Sequence, residues 1–140
     1  MKGAVFGLTF AATKAHVVRA ALESIAYQVK DLADVMAQAT GGALTEICAD
    51  GGPTRNAFLM QFQADISGTE ICRPAILETT ALGAACLAGL AVGVWENKEQ
   101  LLQCRGEASR FSPAIDEARR QKLTAGFARA VERSRGWELE

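Results

Sequence analysis

This chain alternates short, strand-like segments with longer segments of helical periodicity, and few folds accommodate that alternation. The strand-like segments are 3–9, 44–49 and 70–73, each bordered by glycine or proline. The helical segments are 13–40, 53–67, about 80–94 and about 113–133. Strands separated by helices are joined by right-handed crossovers and lie parallel. The pattern therefore predicts an α/β layered fold, with short parallel strands and long covering helices.

The longest helical segment, 13–40, carries one apolar stripe. Its members recur three or four residues apart: Val18, Leu22, Ile25, Val29, Leu32, Met36 and Ala39. This periodicity predicts that the stripe is buried. Charged residues lie mostly off it, and the four-residue spacing of Arg19 and Glu23 predicts an ion pair on a solvated face. Lys30 and Asp34 have the same spacing and predict a second pair.

The last helical segment, 113–133, has the composition of a helix start at its beginning. Ser112 supplies a cap and Pro113 a first-turn proline. Asp116 and Glu117 then fall in the first turn, where the helix dipole favours negative charge. We expect a helical tail to begin here.

Composition indicates one folded domain and excludes several kinds of partner. The chain has 140 residues, about one domain's worth, and 49% of them are hydrophobic, which is enough for a sizeable core. Its formal charge of -1 provides no field to attract nucleic acid or an anionic membrane. The apolar run from Ala81 to Trp95 is shorter than the ~20 residues of a membrane helix. Its Gly89-x-x-x-Gly93 spacing therefore indicates close packing in a folded core.

The cysteines do not have the spacing of a standard metal site. There are four, Cys48, Cys72, Cys86 and Cys104, with no Cys-x-x-Cys pair, and His16 is the one histidine. A zinc site of standard spacing is therefore not expected. No basic and apolar leader opens the chain, so we expect a cytoplasmic location and reduced thiols. The apolar neighbours of Cys48, Cys72 and Cys86 indicate small core residues instead of redox groups.

One loop, Asp50 to Asn56, is the candidate binding site. Ligands of parallel α/β sheets bind at the carboxyl ends of the strands, and this loop follows the second strand-like segment. Gly51 and Gly52 allow a flat ligand to approach the backbone, and the next helix presents unpaired amides at its start. A nucleotide fits these features, but a sharp turn explains the glycine pair equally well. Neither a Walker loop nor Gly-x-Gly-x-x-Gly occurs, and no residue is assigned as catalytic or as a metal ligand.

Three ordered blocks make a family resemblance specific. Asp50-Gly51-Gly52 with Asn56, followed by the block 59–66, resembles the adenosine motif of the FGGY carbohydrate kinases. The blocks 13–28 and 78–91 resemble the helices before and after that motif, most closely in the members of the family that phosphorylate glycerol. The resemblance extends over almost the whole chain.

The resemblance implies a fold, an activity and a set of contacts. The fold is part of an actin-like, sugar-kinase (ribonuclease H-like) domain, namely the C-terminal portion of the family's second domain. Gly52 and Asn56 would contact the adenosine of ATP, Gly51 would shape the turn, and Asp50 is a further candidate. The helix of about 80–94 would connect the domains near their hinge. The parent reaction would convert glycerol and ATP to glycerol 3-phosphate and ADP.

The resemblance also implies that the reacting centre lies elsewhere. The family's Asp-x-Gly-Thr phosphate loop, catalytic aspartate and polyol-binding side chains have no counterpart in these residues. Mg²⁺ would be held mainly by that other part, and the isolated chain is expected to be inactive. Two alternatives stay open: another FGGY kinase acting on a sugar or polyol, or a noncatalytic binding or assembly module derived from one.

The apolar content of the chain predicts self-association. The stripe of segment 13–40 and the residues of 81–94 provide more nonpolar surface than so small a sheet can bury, and large exposed patches mark interfaces. Closed two-fold dimers are the commonest soluble oligomers. We therefore expect the isolated chain to form a homo-oligomer, in the form of a two-fold dimer that takes the place of the rest of the kinase domain.

Overall fold

A computed structural model describes residues 3–103 and 106–136 of the chain. Within these residues it has five α-helices, one 3-10 turn and three short strands. In chain order they are α1 (Lys14–Thr40), β1 (Glu46–Cys48), the 3-10 turn (Gly52–Arg55), α2 (Ala57–Ser67), β2 (Glu70–Arg73), α3 (Thr79–Ala91), α4 (Lys98–Gln103), β3 (Ser109–Phe111) and α5 (Glu117–Ser134).

The strands form one sheet in the order β1-β2-β3. β1 and β2 are parallel, as the helix between them predicts, and Ile47 pairs with Ile71. β3 is antiparallel to β2, and the sequence pattern does not predict it. Its Arg110 forms ion pairs with the carboxylates of Glu46 and Glu70, one on each neighbouring strand. These long-range contacts hold a segment whose own sequence is a weak strand signal.

The strand predicted over 3–9 does not form in the structure. These residues belong to no strand or helix, and Leu8 is 61% exposed. A strand needs a neighbour to pair its backbone groups. Within the described residues no strand pairs with this segment, so its apolar sequence alone does not produce a strand.

α1 begins and ends where the sequence predicts. A capping box at Thr13 and His16 begins it, with the Thr13 amide donating to His16 Nδ1 at 3.0 Å. Gly41 ends it in the left-handed conformation, at φ +72°. The Arg19–Glu23 pair forms at 2.6 Å, and the pair of Lys30 with Asp34 also forms.

The predicted burial of the apolar stripe of α1 is wrong. Leu32 is 61% exposed, and most of the stripe is exposed with it. The buried residues of α1 are Ala26 and Tyr27, on a different face. That face meets α2, while no described element covers the stripe.

The core lies where α1, α2, α5 and the sheet meet. Its buried apolar residues are Ala26, Tyr27, Leu59, Met60, Phe62, Ala64, Ile66 and Ile71. The Tyr27 ring stacks on Phe127 of α5 at 4.6 Å between centroids, and meets Phe62 edge-on at 5.5 Å. Aromatic pairs of this kind add about 0.5–1.5 kcal/mol each to the burial of their area. The core therefore fixes α2, which follows the candidate loop.

α5 begins at Glu117, four residues later than Pro113. Asp116 is the N-cap, and its carboxylate accepts a hydrogen bond from the Arg119 amide at 2.7 Å. The segment before it is held against α2 instead, because the Ala114 amide donates to Asp65 Oδ1 at 2.7 Å. This tertiary contact overrides the local helix-start signal of Ser112 and Pro113.

The close packing predicted at Gly89 is between α3 and the ring of Trp95, which follows the helix. A Cβ atom at Gly89 would lie 2.0 Å from the Trp95 ring, so only glycine fits there. Gly93 has φ +77° and turns the chain after the helix. Among the described residues, no helix is both long and apolar enough to cross a membrane.

Candidate functional site

The Asp50 to Asn56 loop lies at the carboxyl ends of the two parallel strands. It follows β1, and the segment that follows β2 lies beside it, because the Gly51 amide donates to the Leu77 carbonyl at 3.0 Å. The Thr79 hydroxyl, in the first turn of α3, donates to the Asp50 carboxylate. The loop is thereby joined to the start of α3. The sequence around Thr79 carries no signal for this contact.

Gly51 and Gly52 are glycines for different reasons. Gly51 has φ +84°, a conformation that L side chains rarely adopt, so the turn itself requires glycine. Gly52 has no positive φ, and a Cβ atom built there would have no atom within 4 Å. Neither the backbone nor the packing of the chain requires glycine at Gly52. The bare backbone leaves room for a ligand.

Hydrogen bonds from Thr54 and Arg73 stabilise the turn. Thr54 is buried, and its hydroxyl donates to the Gly51 carbonyl at 2.6 Å. The Arg73 guanidinium, from the end of β2, donates to the Thr54 carbonyl at 3.1 Å. These contacts fix the backbone under Gly52. The sequence of the loop does not predict its hydrogen bond with Arg73, because this residue lies far along the chain.

Asn56 is the N-cap of α2. Its side-chain oxygen accepts a hydrogen bond from the Leu59 amide at 3.2 Å. Among the described residues, only this oxygen of its side chain takes part in a hydrogen bond. The amide nitrogen can therefore donate to a ligand while the cap stays in place.

The loop forms an open shelf in the described part of the chain. Two surface cavities lie away from it: one of about 510 Å³ lined by residues of α1, α2 and α5, and one of about 420 Å³ lined by residues between Val5 and Ala20. The shelf offers bare backbone, one amide donor at Asn56 and the Asp50 carboxylate. One face of a flat ring can lie on the bare backbone, with hydrogen bonds to the two side chains.

The structure corrects the expectation for the cysteines. Cys48 is exposed, and Cys72 and Cys86 are half-buried, so none is a fully buried core residue. For Cys48 and Cys72 the cause is the alternation of the strands, since Ile47 and Ile71 lie on the core face and the cysteines beside them lie on the opposite face. Partial desolvation, together with the nearby Cys72 thiol, raises the pKa of Cys48. Cys104 lies outside the described residues.

Comparison with known proteins places the chain in a family. The FGGY family of carbohydrate kinases, C-terminal domain, matches residues 1–92. Glycerol kinase of Clostridium beijerinckii is 54% identical over 139 residues, which are 99% of this chain and 28% of that protein. Glycerol kinase of Pseudomonas putida is 53% identical over 137 residues, 98% of this chain and 28% of its own length. The chain thus spans a little over a quarter of these relatives.

Solved structures agree on the fold. Plasmodium falciparum glycerol kinase with ADP superimposes with a TM-score of 0.81 and 36% identity, covering 97% of this chain and 27% of that one. Ligand-bound xylulose kinase from Lactobacillus acidophilus gives a TM-score of 0.77 and 25% identity, covering 98% and 28%. The predicted α/β fold, part of an actin-like sugar-kinase domain, is confirmed. The chain belongs to the FGGY family of carbohydrate kinases.

Proposed function

We propose that this chain is the C-terminal nucleotide-binding part of an ATP-dependent glycerol kinase, whose reaction converts glycerol and ATP to glycerol 3-phosphate and ADP. The observation that carries the proposal is the 53–54% identity to glycerol kinases over nearly the whole chain. The xylulose kinase neighbour is only 25% identical, which favours glycerol over another sugar or polyol.

The loop supplies the adenosine contacts in this proposal. Gly52 lies under the adenosine, because its bare backbone has space above it. Asn56 donates from its amide nitrogen while its oxygen caps α2. Gly51 shapes the turn, and Asp50 fixes the turn to α3 through Thr79. The glycerol kinase structure that contains ADP supports a nucleotide as the ligand.

The reacting centre lies outside these residues. Phosphoryl transfer depends on positioning the nucleophile and the γ-phosphate and on neutralising charge with Mg²⁺. The only carboxylate in the loop is that of Asp50, and the Thr79 hydroxyl already bonds to it, so the loop does not fit a magnesium site. The chain alone therefore binds nucleotide and does not phosphorylate glycerol.

A chimera tests this proposal. The C-terminal 28% of the Clostridium beijerinckii glycerol kinase is replaced by this chain, which matches that share of it. We expect the chimera to phosphorylate glycerol with ATP, and the isolated chain to show no turnover approaching the usual enzyme scale of ~1 per second. In the chimera, Gly52→Val should raise KM for ATP and leave KM for glycerol unchanged.

The result distinguishes the alternatives. The polyol-binding side chains of this chimera come from the host, so a second chimera tests the substrate: the same chain replacing the matching part of the Lactobacillus acidophilus xylulose kinase. Higher activity in that chimera than in the glycerol kinase chimera would contradict the substrate assignment. A folded chimera with no kinase activity on any polyol would favour a noncatalytic module. Unchanged KM for ATP in the Gly52→Val chimera would contradict the role of the loop.

A further inference from the structure

Two cysteines and a glutamate from neighbouring strands converge on one face of the sheet. Glu46 and Cys48 lie two residues apart on β1, and Cys72 of β2 pairs with Cys48 in parallel register. Side chains two residues apart on a strand point to the same face. This face is opposite the one on which Ile47 and Ile71 contribute to the core.

The three potential ligand atoms are close enough to share one ion. The two sulfurs and a carboxylate oxygen of Glu46 all lie within 4.8 Å of one another. The Cys48 thiol is 3.7 Å from Glu46 Oε2. A tetrahedral zinc ion with Zn–S bonds of about 2.3 Å holds its ligand atoms roughly 3.7 Å apart. None of these side chains is fully buried, so small rotations can bring their ligand atoms from within 4.8 Å to the separation that zinc requires.

Arg110 supports the carboxylate of this cluster. Its guanidinium donates to Glu46 Oε1, while Oε2 is the oxygen near the Cys48 sulfur. The same guanidinium donates to Glu70 on β2. Carboxylates that bind metals are themselves hydrogen-bonded by outer partners that orient them. Two thiolates and a carboxylate carry one more negative charge than a divalent cation neutralises, and the positive charge of Arg110 lies beside this excess.

We propose that Glu46, Cys48 and Cys72 bind one Zn²⁺ ion, with the fourth position taken by water. Two thiolates and one carboxylate suit this borderline-soft cation and its four-coordinate geometry. Ca²⁺ and Mg²⁺ prefer oxygen ligands alone. Sequence spacing does not reveal this site, because the cysteines come from two strands separated by α2.

Cobalt absorption tests the site. The full chain carries Cys104→Ser throughout, so that this cysteine cannot contribute, and is kept reduced with a phosphine. Co²⁺ is titrated in and then displaced with Zn²⁺. We expect one Co²⁺ per chain, with the thiolate charge-transfer and intense visible bands of tetrahedral coordination, and loss of these bands when Zn²⁺ is added.

Matched variants identify the ligands. Cys48→Ser and Cys72→Ser should abolish the charge-transfer bands, and Glu46→Gln should weaken binding. Arg110→Gln should weaken it by about tenfold, the scale for outer partners of a metal site. Cys86→Ser removes a half-buried thiol on α3 and should leave binding unchanged. Far-UV circular dichroism establishes that each variant is folded.

Two results would overturn the proposal. One is thiolate bands that persist in the folded Cys48→Ser, Cys72→Ser double variant. The other is a reduced parent chain that binds Zn²⁺ no more tightly than this double variant. Formation of a Cys48–Cys72 disulfide under air would not change that conclusion.

Discussion

At the scale of single residues, the two adjacent glycines of the loop separate a folding requirement from a binding requirement. Gly51 has φ +84° and ψ 174°, a region that essentially only glycine adopts, and any L side chain there is strained by about 1–3 kcal/mol. Gly52 has neither a positive φ nor a close neighbour. The sequence Gly-Gly indicates a turn or a ligand, and only the backbone angles show which glycine serves which purpose.

Asn56 is expected to stabilise the helix with one atom and bind nucleotide with another. Asn56→Ala removes the cap to Leu59 and should cost about 1 kcal/mol of the free energy of unfolding. Asn56→Asp keeps a capping oxygen but loses the amide donor, so stability should be retained while ATP affinity falls. Urea denaturation and ATP titration measure the two effects separately. Equal ATP affinity in Asn56→Asp and the parent would rule out the donor role.

Tyr27 is expected to titrate at unusually high pH. Burial, with the negative charge of Glu23 adding to it, raises the pKa of the Tyr27 phenol above its ordinary value of about 10. The folded state holds the neutral phenol, so its contribution to stability is present at neutral pH and is lost as pH rises through the folded pKa. Tyr27 is the only tyrosine, so phenolate absorbance reports it alone.

The titration midpoint of folded Tyr27 should therefore lie above that of the chain in denaturant. A Tyr27→Phe variant keeps the ring that stacks on Phe127 and should lose less stability at alkaline pH than the parent. A folded midpoint at or below the denatured one would contradict the burial of the phenol.

At the scale of elements, local signals predict most boundaries but not which face of a helix is buried. β2 begins and ends at the predicted residues, and α2 ends at Ser67, the predicted last residue, with Gly68 as its C-cap. The periodicity of α1 shows which residues are apolar, but it does not show which face the neighbouring elements pack against. The described elements pack against the face of Ala26 and Tyr27, so the apolar stripe stays exposed. β3 and the late start of α5 depend on long-range contacts.

The Asp65 side chain is expected to be a polar link between α2 and the segment before α5. It is buried, and its Oδ1 accepts from Gln61 Nε2 at 2.9 Å and from the Ala114 amide at 2.7 Å. Asp65→Ala leaves the Ala114 amide without this partner, and should lower the free energy of unfolding by about 1–3 kcal/mol. Urea denaturation measures the change. Asp31→Ala, on the exposed part of α1, is the control and should stay within about 0.5 kcal/mol.

At the scale of the whole molecule, the described part leaves much apolar surface uncovered. Leu32, Val35 and Met36 of α1 are each more than half exposed, and so is Leu87 of α3. This surface supports the expected self-association, with a second copy covering the stripe in a two-fold dimer.

Light scattering after size exclusion tests the dimer. At micromolar concentration the chain should have about twice the monomer mass of 14.9 kDa. Leu32→Lys with Met36→Lys should shift it to monomer, while Asp31→Lys on the same helix should not. A folded monomer with no concentration dependence would show that the exposed stripe does not mediate assembly.

The position of the candidate site could be predicted from the sequence better than its construction. The sequence predicts a site in the loop after β1, because ligands bind at the carboxyl ends of parallel strands. The contacts of Thr79 with Asp50 and of Arg73 with Thr54 depend on tertiary folding. The cluster of Cys48 with Cys72 follows from strand register, which no local spacing specifies.

Chemical-shift perturbation by ATP tests the proposal that adenosine lies over Gly52. Without the rest of the kinase we expect a millimolar or weaker dissociation constant, about -4 kcal/mol or less favourable. The shifts should cluster in residues 50–60 and disappear in Gly52→Val, while Gly42→Val, equally open and without positive φ, should retain them. Shifts that cluster elsewhere, or that persist in Gly52→Val, would contradict the claim.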